Sequence, residues 1–190
     1  MSRDLKKRGV WLLTALLLLP AAAWPGEFTA SMVVKDGDKV MPGKIYVRDG
    51  QMRQEFSDES GQTVTVVRPD KKVIWVILPR ERTYTELALK PHLPGQFIQM
   101  PPNAMHKRLL GKERLQGYET EKYQFAVPGG QELEFQTIWI APKLGSALKL
   151  TSNTRKFSIE YGGIKEGKLS DHLFAVPAGY KKVASPQLDY

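Results

Sequence analysis

The three histidines, His92, His106 and His172, are the side chains best suited to proton transfer or metal ligation near neutral pH. Their intervals match no metal-ligand spacing, so they read as surface or loop residues. The chain has no cysteine, which removes disulfides, thiol catalysis, thiolate metal sites and a lipidated cysteine anchor. The acid pairs Asp58 with Glu59 and Glu119 with Glu121 stand in polar turns or hairpin starts. A solvated carboxylate there has no cause to acquire the raised pKa that acid catalysis needs. Residues 160–171, "EYGGIKEGKLSD", are glycine-rich but lack phosphate-cradling spacing and lead into no helix, so a surface hairpin is expected. No serine-nucleophile signature is present. These residues predict a protein that is not an enzyme and needs neither cofactor nor metal.

Apolar binding is the chemistry left. Trp75, Tyr84, Phe97, Met100 and Trp139 offer aromatic and thioether surface to an acyl chain, and Met105 ends a segment from Phe97 that suits a lid. Burying a methylene yields ~0.8 kcal/mol, so a chain of ~14 carbons contributes ~10 kcal/mol before ordering costs. Ordinary core packing accounts for the same residues, and both readings stay open here. Arg80, Arg82, Lys107, Arg108, Lys181 and Lys182 suit anionic headgroups if they share a rim, or scattered solvation if they do not.

The elements that must position these residues are strands. "FTASMVVK" alternates, and "PGKIYVRDGQMRQEF" gives two strands joined at Asp49-Gly50, a pair that favours a tight hairpin. "TVTVVR" runs extended. In "VIWVIL", residues 73–78, Val73, Trp75 and Ile77 oppose Ile74, Val76 and Leu78, so the strand is covered on both faces. Residues 88–108 break the rhythm with Pro91, Pro94, Pro101 and Pro102, yet keep Leu93, Phe97, Ile98, Met100 and Met105, and are expected to lie over an apolar surface. Strands resume in "RLLGKERLQGYETEKYQFAV", "QELEFQTIWIA", "SALKLTSN" and "RKFSIEYGG", where Phe157, Ile159 and Tyr161 alternate with polar residues. "DHLFAVPAGYKKV" closes the pattern with a short strand or turn and a basic tip. Nine to eleven strands and no long amphipathic helix imply an antiparallel sheet that curls, splits or wraps an insert.

At the N-terminus, Arg3, Lys6, Lys7 and Arg8 precede the apolar run from Gly9 to Leu19, and Ala21 and Ala23 follow. The run is too short to span hydrocarbon, so residues 1–23 are expected to be a signal peptide cleaved after Ala23, leaving a single exported, periplasmic domain over residues 24–190. What remains carries 24 basic against 19 acidic residues, a mild +5 spread over mixed charge. That is no nucleic-acid footprint.

With these elements laid out, "GKIYVRDGQMRQEF", "VVRPDKKVIWVILPRERTYTEL", "GKERLQGYETEKY", "IWIAPKLGSALKL" and "LFAVPAGYKKV" together resemble, in order and spacing, the LolA/LolB-like superfamily of periplasmic lipoprotein carriers. They resemble more closely a family of uncharacterised exported bacterial proteins with that fold. The resemblance implies a mainly β protein, an incomplete barrel of curled antiparallel strands around an apolar cavity, with a short helical or irregular lid. It implies reversible holding of a lipid or the acyl chains of a lipoprotein, with transient membrane-surface contact. The alternative is an envelope scaffold that recruits a protein through a strand edge or the basic tip, without lipid cargo.

Overall fold

The structure is a computed structural model that describes residues 26–59, 61–90, 99–129 and 132–184. The expected signal peptide, His92 and Phe97 lie outside the described residues. The strands are β1 (Phe28–Asp36), β2 (Lys39–Arg48), β3 (Gln51–Asp58), β4 (Gly61–Arg68), β5 (Val73–Leu78) and β6 (Thr83–Ala88). They continue as β7 (Met105–Leu115), β8 (Tyr118–Pro128), β9 (Leu133–Ala141), β10 (Ser146–Ser152), β11 (Phe157–Glu166) and β12 (Lys181–Lys182). All belong to one sheet of order β12-β6-β5-β4-β3-β2-β1-β11-β10-β9-β8-β7, which curls without closing into a barrel.

The turn chemistry follows the sequence. Asp49 and Gly50 both adopt positive φ, 48° and 76°, which suits the right-handed twist of the β2–β3 hairpin. Short 3-10 turns at Pro69–Lys71 and Pro142–Leu144 join β4 to β5 and β9 to β10. Two expectations are corrected. The glycine pair at 162–163 turns no hairpin: β11 runs through it to Glu166, with a register shift against β1 and Gly163 at φ 59°. Nor does the insert extend to residue 108, since Met105 already opens β7.

Alternation sorts the side chains onto two faces. The inner face carries Phe28, Ala30, Met32 and Val34 of β1 with Ile45, Val47, Met52, Val67 and Ile74, and Ile159 and Tyr161 of β11 extend the same cluster. Phe125, Ile138 and Leu150 continue it onto β8, β9 and β10. The outer face of β4 and β5 holds a separate cluster of Val64, Val66, Trp75 and Ile77, closed by Phe174. β5 is therefore covered on both sides, as its doubly apolar pattern requires.

The curl is visible at the β7–β8 hairpin. Tyr118 of β8 lies three strand spacings from β11, on the order of 14 Å in a flat sheet. Its hydroxyl nevertheless donates to Glu166 Oε1 at 2.8 Å. The hairpin tip folds over the 3-10 turn at Pro142–Leu144, whose Lys143 reaches the same carboxylate at 2.7 Å and lies 5.4 Å from the Tyr118 ring.

Candidate ligand-binding face

Two apolar rows cross the inner face at opposite ends of the strands. One runs Phe28, Val47, Met52, Val67, Ile74, Leu87 across β1 to β6. The other runs Leu109, Tyr123, Ile138, Leu150, Ile159, Val34, Met41 from β7 through β11 and β1 to β2. Cross-strand rows of this kind form because antiparallel register places same-face side chains directly opposite one another. Their central members are buried, while Leu109 is 52% and Met41 39% exposed, so the second row opens at both ends. Between the rows lie Phe56 and Val76, half-buried against the first cluster, with Val76 flanked in register by Thr65 and Thr85.

The connection from β6 to β7 must travel from one side of the sheet to its far edge. Its described ends both touch the inner face. Leu89 packs on the first cluster and donates its amide to Lys72 O at 3.0 Å, and Met100 and Ala104 pack on Phe125, Ile138 and Leu150. The described apolar residues at its ends, Leu89, Met100 and Ala104, meet an apolar surface.

Polar groups on this face are few. Gln54 is buried and its amide donates to Met32 Sδ at 3.7 Å. The Tyr161 hydroxyl is buried and meets no hydrogen-bond partner among the described residues. Burial pushes its pKa up, so it stays a neutral donor. An unpaired buried hydroxyl costs roughly 1–3 kcal/mol, which a ligand acceptor or a water would offset.

The sequence-selected residues divide between the faces. Met100 is brought to the inner face, and Met105 sits on edge strand β7, paired with Ala126 and 38% exposed. Trp75, Tyr84 and Trp139 share the opposite parity and lie on the outer face. Trp75 donates its indole N–H to Glu86 Oε2 at 2.9 Å and lies between Arg68 and Lys71, 5.8 and 5.4 Å from the ring. Trp139 repeats the arrangement, with its N–H toward Glu113 and Lys122 and Lys149 at 4.8 and 5.4 Å. The inner-face residues not selected as site residues, Val76, Leu87, Tyr123 and Tyr161, had alternation as their only signal.

Of the basic residues, Arg82 and Lys181 meet through a backbone bond at the β6 edge, with Arg80 in the same turn, whereas Lys107 and Arg108 lie on β7 at the opposite edge. Among the described residues no group of His, Cys, Asp or Glu is arranged to hold a metal ion. An open cleft of about 640 Å³ is lined by Arg114, Tyr118, Glu119, Lys143 and Glu166, and in its wall Tyr118 and Lys143 both bond the Glu166 carboxylate.

Residues 25–153 match a family described as a domain of unknown function, DUF4412. No curated protein matches the sequence. Among solved structures, the fold is similar to that of an uncharacterized conserved protein from Thermus thermophilus, with TM-score 0.60, 15% identity, and coverage of 86% of this chain and 93% of that one. It is also similar to MucB in the MucA/MucB complex of Pseudomonas aeruginosa, with TM-score 0.52, 16% identity, and coverage of 80% of this chain and 56% of that one. The neighbours are LolA/LolB-like, and the fold expected from the sequence is the fold observed.

Proposed function

The chain belongs to the DUF4412 family, and we propose that it is an exported binding protein that holds an acyl chain reversibly against the inner face of its curled sheet. The observation that carries this reading is the pair of apolar rows together with a connection whose two described ends both rest on that face. The chemistry is burial without covalent steps: the walls supply apolar area, and Tyr161 supplies one neutral donor for a carbonyl such as an ester's. Met100 contacts the acyl chain from the described end of the connection. Residues 1–23 act as the export signal and residues 24–190 as the domain.

A second reading, binding of an envelope protein, is favoured by the outer face, where aromatic and basic groups surround an edge strand; MucB, of similar fold, was solved with MucA. The two readings separate on one preparation. The exported protein, purified without detergent, is examined by native mass spectrometry with lipid extraction, beside Val76→Glu and Trp75→Phe. A stoichiometric lipid present on wild type and Trp75→Phe but lost from a folded Val76→Glu supports the inner-face site. Wild type free of lipid and resistant to loading with a C16 fatty acid overturns it.

A further inference from the structure

After β11 the chain crosses the outer face of β2 to β6 as a strap, from Gly167 to Val183. Three arginines from adjacent strands hold it, and each does so through a main-chain carbonyl. Arg48 Nη1 donates to Leu169 O at 3.0 Å, Arg53 Nη1 to Leu173 O at 3.0 Å and Arg68 Nη1 to Phe174 O at 2.7 Å. Such bonds do not depend on which side chains the strap carries. Side chains add to them, since Leu169, Leu173, Val176 and Tyr180 pack half-buried on the outer cluster around one main anchor. Phe174 is fully buried against Val64, Val66, Trp75 and Ile77, with the Arg48 guanidinium 4.7 Å from its ring. Asp171 takes a bond from Arg48 at 2.6 Å, and Lys182 donates to Glu86 at 2.8 Å. The strap then joins the sheet as β12, parallel to β6, through Lys181 N to Arg82 O and Val183 N to Tyr84 O.

The receiving surface is set up by its own residues. Arg53 Nε is fixed by Glu55 at 2.6 Å, and Arg68 Nε and Nη2 by Asp70 at 2.8 and 2.6 Å, so each directs its remaining Nη1 outward without help from the strap. All three guanidinium-bearing side chains are largely buried, at 13–15% exposure. The residues matching DUF4412, 25–153, contain the whole receiving surface and stop short of the strap. Arginines aimed at carbonyls, one aromatic pocket and the edge of β6 are the parts of a groove that takes a peptide as the strap is taken, with a 3-10 turn at Asp171–Phe174 over the pocket and a two-residue strand addition beside β6.

We propose that this outer groove is a peptide-binding site whose resident occupant is the chain's own C-terminal strap, and that it accepts in its place a segment of a partner protein able to form the same short turn and edge pairing. The partner segment carries an acidic residue, an aromatic anchor and a basic residue in the order of Asp171, Phe174 and Lys182. Tethering gives the strap an effective concentration in the millimolar range, so a partner competes once the strap is weakened or the partner is itself held nearby. This inference is independent of the acyl-chain reading, which concerns the other face.

The test uses the full chain and a fluorescein-labelled synthetic peptide of residues 167–184. Binding is read by anisotropy on wild type, on Phe174→Ala and on Phe174→Ala with Arg53→Gln. Phe174→Ala is expected to bind at least tenfold more tightly than wild type, because its own strap has lost its anchor. Arg53→Gln, or an alanine in place of the peptide's phenylalanine, is expected to reduce that binding at least fivefold. A cooperatively melting Phe174→Ala chain that fails to bind, or that binds no better than wild type, overturns the proposal. If Phe174→Ala does not fold, unlabelled peptide at millimolar concentration is added to wild type and hydrogen exchange is followed at Lys181 and Val183. Loss of protection supports displacement, and unchanged protection overturns it.

Discussion

Tyr161, like Gln136, holds a buried side-chain oxygen that meets no partner among the described residues, whereas a buried tyrosine hydroxyl ordinarily finds one. Tyr161→Phe removes the orphaned oxygen without opening a cavity. Urea unfolding is expected to show unchanged stability or a gain of about 1 kcal/mol, whereas a hydroxyl bonded in the free protein would show a loss of similar size. Acyl-ester affinity is expected to fall about fivefold in the same variant if the hydroxyl donates to the ligand carbonyl. The two tryptophans show where residue-level reading runs out. Their parity was legible in "VIWVIL" and "EFQTIWIA", but parity assigns a residue to a face without saying which face is the inner one. That depends on the sense in which the whole sheet curls. Trp75 and Trp139, the largest aromatics on their strands, therefore drew attention away from Val76 and Ile138 beside them.

Strands and their turns were largely legible, because alternation and turn residues are local signals. Asp49-Gly50 announced the β2–β3 hairpin, and the strand pattern from Phe28 to Leu87 matches β1 to β6 closely. The local signal failed where tertiary pairing decides. Gly162-Gly163 has turn composition, yet β1 pairs with β11 up to Gly162 and again at Lys165 and Glu166, and draws the glycines into an irregular, continuous strand. Another glycine marks a contact that composition does not reveal. A Cβ on Gly43 would stand 2.6 Å from Glu55 O and 3.0 Å from the Phe56 ring, its partner in register on β3. Gly43→Ala is expected to destabilise the protein by roughly 1–3 kcal/mol through forced separation of β2 from β3. Chemical denaturation of this variant beside Gly37→Ala, where a Cβ meets nothing within 4 Å but φ is 61°, separates crowding from backbone strain. A loss in Gly43→Ala no larger than in Gly37→Ala would dismiss the close-approach account.

On the scale of the whole molecule, an open sheet of this size has two free ends to secure, and here each is fastened by a carboxylate clasp far from it in sequence. Glu166 of β11 binds Lys143 and Tyr118 and ties down the β7–β8 tip. Glu86 of β6 binds Lys182 and the Trp75 indole and ties down the strap. The sequence displayed these charges as a mixed surface, and only the fold reveals which pairs span the molecule. Lys143 and Tyr118 hold Glu166 below the usual carboxylate pKa, and Lys182 and Trp75 do the same for Glu86. A carboxylate depressed in the folded state stabilises it above the unfolded pKa of about 4.3 and loses that contribution as pH falls through the lower folded value. The melting temperature is accordingly expected to be level between about pH 5.5 and 8 as far as these clasps govern it, and to fall below about pH 4. Over that fall, hydrogen-exchange protection is expected to drop at Lys181 and Val183 beside one clasp and Gly167 beside the other, with factors corrected for the intrinsic rate at each pH. Glu86→Gln with Glu166→Gln should lower the neutral-pH plateau and shrink the acid step. If the double variant retains the full wild-type step, other carboxylates govern acid unfolding, and the two ends of the sheet are held by packing alone.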